Sequence, residues 1–354
     1  MDDESPLTNG DTVEGEVTVE VEKECRINSL YVKFKGKANV LWSETNLNST
    51  KLYRAKVKYF SVRHYFVNEK SPKESHILTP GIHVYPFCYQ FPEEGIPSSF
   101  YSRYGSVTYS LEAVLSRKMS MDKKSTIPIN FFAKIDLNSN PELMEPKSES
   151  LEKTMTLFTA GSVAMDVNLE RTCFFQGEEL SVSLRIQNNS PHDIKPKYSI
   201  YKKTSYFARK KRKCQTKVIV NEVGTPIPPS ASENVTKVLT IPKDVKPSIH
   251  NCKIIKVEYR LKVYLDVKRA LDPEIKIEIV ILPSGTSAGW QDVPSCHPGT
   301  RVEPGSYPPA DLKSHGNYGT PDPPAWDFAR RIPRAVLQPS GHPSFGGFGT
   351  NPSS

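Results

Sequence analysis

The sequence predicts an all-β protein: two tandem Ig-like antiparallel β-sandwiches followed by a disordered C-terminal tail. Three observations predict it. Apolar and polar residues alternate with a period of two in several runs, and no stretch keeps a helical period through three turns. One layout of Gly, Pro and apolar positions recurs in both halves of the chain. From Pro283 to Ser354, 72 residues hold 13 of the 30 Pro and 10 of the 19 Gly, a composition that interrupts sheet and does not build it.

In chain order, the first alternation is Val17, Val19 and Val21, after a turn at Gly10-Asp11. The next sets Leu30, Val32 and Phe34 against Lys33, Lys35 and Lys37, so that one face packs inward and the other meets water. Val107, Tyr109, Leu111, Ala113 and Leu115 repeat the pattern. A polar, proline-bearing stretch then marks a linker at 141–153, leaving 1–140 as the first sandwich and 154–283 as the second. The second copies the first. At an offset of 167, Gly10-Asp11 falls on Gly177-Glu178, Val17 and Val19 on Leu184 and Ile186, and Tyr31 on Tyr198. At an offset of 150, Pro97, Ser98, Tyr109 and Leu111 fall on Pro247, Ser248, Tyr259 and Leu261. From Ile255 to Val267 every odd position is apolar or aromatic, which predicts one long strand with Lys256, Arg260 and Lys262 facing water. Residues 284–354 form the Pro/Gly-rich tail.

With 354 residues, 37% hydrophobic and 24% charged, the chain can bury two cores of ordinary size. Its start, MDDESPLTNGDTVEGE, is acidic and polar, and no run approaches the roughly 20 apolar residues of a membrane span, so a soluble cytosolic protein is expected. Cys25, Cys88, Cys173, Cys214, Cys252 and Cys296 are dispersed without a CxxC pair, which argues for reduced thiols and no bound metal. The sequons at Asn48, Asn188 and Asn234 are read as chance.

The net charge of +8 is concentrated. Residues 195–217 carry ten basic residues and no acid, leaving 37 bases against 39 acids elsewhere. A near-neutral body with one basic stripe suits a local anionic contact and excludes a surface that wraps nucleic acid. Lys202, Lys203, Arg209, Lys210, Lys211, Arg212 and Lys213 are therefore the candidates for contact with anionic lipid or phosphate. A solvated strand face and a nuclear-localisation signal at Arg209 to Lys213 are the alternatives.

The strings NGDTVEGEVTVEVEKECRINSLYVKFKGKANVLW, YPFCYQFPEEGIPSSFYSRYGSVTYSLEAVL, NLERTCFFQGEELSVSLRIQNNS and PSIHNCKIIKVEYRLKVYLDV resemble the arrestin-domain-containing proteins, the α-arrestins, over roughly Asn9 to Pro283. The resemblance implies an arrestin fold and a cytosolic trafficking adaptor, peripheral at plasma membrane and endosomes. Such an adaptor binds membrane-protein cargo and promotes its ubiquitination, endocytosis and endosomal sorting. Two departures stand out. Only MDDESPLT precedes Asn9, so the family's first strand is expected to be missing and a neighbouring strand edge to be left unpaired. The tail has Pro323-Pro324-Ala325-Trp326 and Pro308-Pro309-Ala310-Asp311 where the family has P-P-x-Y, so Pro323, Pro324 and Trp326 form a degenerate motif, weak toward WW-domain ubiquitin ligases.

No GxSxG, HExxH or P-loop is present, so neither catalysis nor a cofactor is expected. Because the family includes a thioredoxin-interacting member with a similar PSIHNC stretch, Cys252 is a candidate redox thiol. The alternative function is then a redox-linked regulator that binds thioredoxin, or a signalling regulator without cargo. Exposure of Cys252 separates the readings, because a buried thiol cannot exchange.

Overall fold

The computed structural model describes residues 7–47, 49–68, 76–117, 120–155, 161–267, 272–284, 330–331 and 335–337. The first part of the chain forms β1 (Leu7–Thr8), β2 (Thr12–Val21), β3 (Cys25–Ile27), β4 (Ser29–Asn46), β5 (Ser49–Val67) and β6 (His76–Leu78). It continues through β7 (Gly81–Gln90), β8 (Phe100–Tyr101), β9 (Gly105–Ser116), β10 (Lys123–Ile129) and β11 (Phe131–Phe132). One layer has the order β10-β9-β4-β5, and facing it β2 pairs with β7. Even residues of β4 point inward: Val32, Phe34, Ala38 and Val40 are at most 1% exposed. Phe34 stacks on Tyr89 with centroids 4.1 Å apart and meets Phe87 edge-on at 5.7 Å, which closes the space between the layers.

The second part forms β12 (Lys147–Met155), β13 (Gly161–Leu169), β14 (Cys173–Phe175), β15 (Glu179–Asn189) and β16 (Lys195–Ala208). After them come β17 (Lys211–Val223), β18 (Ala231–Thr240), β19 (Ile255–Asp266) and β20 (Glu274–Leu282). Its layers are β12-β13-β15-β18 and β14-β20-β19-β16-β17. The odd residues of β19 are buried as expected, all at 1% exposure or less from Ile255 to Leu265. Its even residues differ from expectation. Lys256 is exposed, but Arg260 and Lys262 are half-buried because they lie against acids of β20, Arg260 on Glu278 and Lys262 on Glu274 at 2.5 Å. Long cationic stems cover this face as they reach across the sheet.

β12 begins inside the stretch read as a linker. As an edge strand it needs one partner and a few inward contacts: it pairs with β13 from Lys147 to Met155 while Leu151 packs on the core. That demand is too small to leave an alternating pattern in KSESLEKT. Asn188, one of the sequons, is fully buried, its amide donating to the carbonyls of His192, Ile227 and Pro228.

The internal repeat holds at the level of single hydrogen bonds. Gly10 and Gly177 both adopt positive φ, +75° and +84°. Beside each, a carboxylate accepts the N–H three residues back, Asp11 from Thr8 at 2.8 Å and Glu178 from Phe175 at 2.6 Å. Ser98 Oγ accepts the N–H of Ala133, and Ser248 Oγ that of Ile281. Not every pairing is antiparallel: β1 joins β11 and β14 joins β20 in parallel, again in equivalent places. A further parallel pairing comes from the tail. β21 (Arg330–Arg331) and β22 (Ala335–Leu337) lie along the edge of β2 that β7 leaves free, with Val13 opposite Arg330 and Val17 opposite Ala335.

Candidate functional site

The ten-cation window folds into the β16–β17 hairpin. β16 runs between β19 and β17 and is buried at Tyr198, Ile200 and Tyr206, while β17 is the edge strand and is largely exposed. The hairpin closes on two residues, Ala208 opposite Lys211, with Arg209 at φ 49° and Lys210 at φ 63°. Two successive positive φ values are the pattern of a type I′ turn, normally filled by Asn-Gly. Basic side chains here hold a conformation that glycine adopts without cost. Lys210→Gly is therefore expected to raise stability by about 1 kcal/mol, measured as a shift in the denaturation midpoint.

The candidate residues do not form one patch. Arg209, Lys210, Lys211 and Arg212 are exposed at the tip, whereas Lys202 and Lys203 point to opposite faces of β16, as neighbours in a strand must. Lys203 lies 4.0 Å from Glu258. Lys202 is half-buried, and burial first, then Lys217 and Lys246, pull its ammonium below the usual lysine range. Lys213 sits over the Tyr104 ring, 4.7 Å from its centre.

Tyr104 belongs to the other sandwich, and the tip of the hairpin is where the two meet. Tyr206 is 1% exposed, packs edge-on against Tyr104 with centroids 5.7 Å apart, and directs its hydroxyl to Ser102 Oγ at 2.9 Å. Asn251 donates to the carbonyl of Ile96 at 3.1 Å. Cys252 lies in the same interface, 2% exposed, with the Tyr59 hydroxyl donating to its sulfur at 3.2 Å. Burial, and then that contact, hold the Tyr59 phenol above the usual tyrosine range. With so little of Cys252 exposed, attack on an external disulfide would first require the sandwiches to part. No local pattern marks Tyr206, Ser102 or Tyr104 in the sequence, because their pairing exists only between domains.

Beside this contact a cleft of about 1000 Å³ opens between the sandwiches, bordered by Glu93, Asp136, Leu143, His250, Asn251 and Val280. Asp136 accepts the hydroxyl of Ser139 and the N–H of Asn138, and these bonds, the first above all, hold its carboxyl below the usual range. Among the described residues no group of three His, Cys, Asp or Glu could hold a metal ion, and no helix is long and apolar enough to cross a membrane. Pro323, Pro324 and Trp326 lie outside the described residues.

Comparison with known proteins follows the same division. The family Arrestin (or S-antigen), N-terminal domain, matches residues 2–138, and Arrestin (or S-antigen), C-terminal domain, matches residues 159–286. The chain is 29% identical to arrestin domain-containing protein 4 of Mus musculus over 292 residues, 79% of this chain and 70% of that protein. It is 30% identical to the Homo sapiens protein of the same description over 283 residues, 77% of this chain and 67% of the other. Similarity also extends to the thioredoxin-interacting protein of Rattus norvegicus, 26% over 287 residues, 79% of this chain and 71% of that one.

Proposed function

From the premise that this chain belongs to the arrestin family, matched in both of its domains, we propose that it is a cytosolic adaptor for membrane-protein cargo. In this reading it works at the inner face of plasma membrane and endosomes, binds cargo tails and promotes their ubiquitination, endocytosis and sorting. The observation that carries the reading is the docking of two sandwiches through Tyr206, Asn251 and Cys252. A continuous double surface can hold cargo on one part and a second protein on another.

The β16–β17 tip supplies an anionic contact. Each Lys or Arg close to an anionic leaflet adds about 1 kcal/mol of attraction, screened by salt. Ligase recruitment would pass through Pro323, Pro324 and Trp326, with the indole in place of a tyrosine. Trp326→Tyr restores P-P-x-Y and should strengthen binding of the tail peptide to an isolated WW domain severalfold in titration. Equal binding by parent and variant would show that the indole serves as well as the phenol.

Affinity capture from intact cells, with the full chain beside a chain ending at residue 283, tests the whole reading. Membrane proteins should be captured by both and a ubiquitin ligase by the full chain alone. Capture of soluble signalling proteins without membrane cargo would replace the adaptor with a signalling regulator.

A further inference from the structure

Register in the first sandwich assembles a second basic surface that no run of sequence displays. Lys33, Lys35 and Lys37 occupy the outward face of β4. Across from them β5 sets Arg63 opposite Lys33 and Lys58 opposite Lys37, with Lys56 and Arg54 following on the same face opposite Asn39 and Leu41. Lys124 joins from β10 through its pairing with Val114, the neighbour of Tyr31. The carboxylate that β9 offers here is Glu112, already on Lys35. With alternate residues roughly 7 Å apart along a strand, the strip from Lys33 to Leu41 is about 27 Å long. Burial, and next the charges of Lys33, Lys37, Lys124 and Arg63, lower the Lys35 pKa, which is how crowded cations behave.

The far end of this strip is apolar. Leu41 and Leu52 lie on the basic face at 50% and 54% exposure, and Leu47, in the two-residue turn between Asn46 and Ser49, is fully exposed at 105%. A turn normally carries polar residues or glycine. Among the described residues none covers these leucines, although Trp42 and Tyr53, one step along on the inward face, are stacked and buried at 3% and 4%.

We propose that the outer face of β4–β5 is a membrane-docking surface in which Lys33, Lys37, Arg54, Lys56 and Lys58 meet anionic headgroups while Leu47 and Leu52 enter the interface of the leaflet. Cations alone would suit a phosphorylated peptide equally well. Leucines at the end of the strip decide for lipid, because a headgroup layer has acyl chains beneath it and a soluble anion does not. The two basic surfaces adjoin: the Leu41 N–H donates to the carbonyl of Tyr104 at 2.9 Å, and Lys213 of the other sandwich lies over the Tyr104 ring. The inference deepens the adaptor reading by giving it an attachment to the leaflet, yet its test needs no cargo.

The experiment is co-sedimentation of the full chain with vesicles of phosphatidylcholine alone or with phosphatidylserine. Four proteins are compared: the parent, Lys56→Glu with Lys58→Glu, Leu47→Asp, and Lys210, Lys211, Arg212 and Lys213 all changed to Ala. Because Lys56, Lys58 and Leu47 are exposed, thermal midpoints should match the parent. The parent should bind only vesicles containing phosphatidylserine. The double glutamate variant should bind about twentyfold more weakly at low salt, and Leu47→Asp should bind at low salt but fall away near physiological salt. Loss of binding confined to the β16–β17 variant would overturn the proposal and leave the adaptor reading intact. Parent binding to a multiply phosphorylated peptide but to neither vesicle would assign the strip to a soluble ligand and overturn it as well.

Discussion

Replacing Tyr206 by alanine is expected to destabilise the protein by about 4 kcal/mol and to split its unfolding into two steps. The ring is 1% exposed and is pressed between β17 of its own sandwich and the Ser102 to Gly105 segment of the other. Removing it empties a buried volume, leaves Tyr104 without its edge-on partner 5.7 Å away, and strips the hydroxyl that reaches Ser102. Tyr206→Phe keeps the ring and loses only the hydroxyl, shared between Ser102 Oγ and Gln215 Oε1, so it should cost about 1 kcal/mol. Denaturant titration of the full chain, followed by fluorescence, separates the two. A single cooperative transition for Tyr206→Ala at the parent's midpoint would mean that the sandwiches are not coupled through this residue.

Leu261→Ala should cost about 3 kcal/mol, all of it in the second sandwich. Leu261 has no exposed surface and sits in β19, the strand flanked by β16 and β20, where no edge can relax into the cavity. Lys262→Ala, one residue on, removes the ion pair with Glu274 and the contact of the ammonium over the Tyr264 ring, 4.4 Å from its centre, and should cost about 1 kcal/mol. A measured order in which Lys262 matters more than Leu261 would contradict the inward assignment of the odd residues.

The contrast between these sites marks what the sequence made legible. Leu261 could be placed indoors from the alternation of its neighbours, because a strand buried on one face repeats every two residues whatever lies beyond it. Tyr206 could not, since its environment is made by Ser102 and Tyr104, about a hundred residues earlier in the chain. The arrestin resemblance anticipated the architecture, but alternation also divided the predicted basic stripe, sending Lys202 and Lys203 to opposite faces. The β4–β5 surface was partly written: Arg54, Lys56 and Lys58 recur with period two, as do Lys33, Lys35 and Lys37. What joins the two sets is a register shift at Gly36/Lys37, and that depends on contacts no pattern records. A Cβ on Gly36 would lie 2.6 Å from Phe60 and 2.8 Å from Tyr109, so the bulge closes only around a glycine.

The pairing of β21 and β22 with β2 changes the competition for that edge. Its occupant is part of the same molecule, joined to Ser284 by the 45 residues 285–329, so it is present at an effective concentration that dilution of the protein does not alter. An extended peptide arriving from solution to add to β2 meets a tethered rival, and at ordinary cellular concentrations a weak one loses. Crowding, expression level and cargo density then have little influence on how often this edge is vacant. Cleavage of the chain anywhere between 285 and 329 would turn a unimolecular equilibrium into a bimolecular one and release the edge by mass action alone.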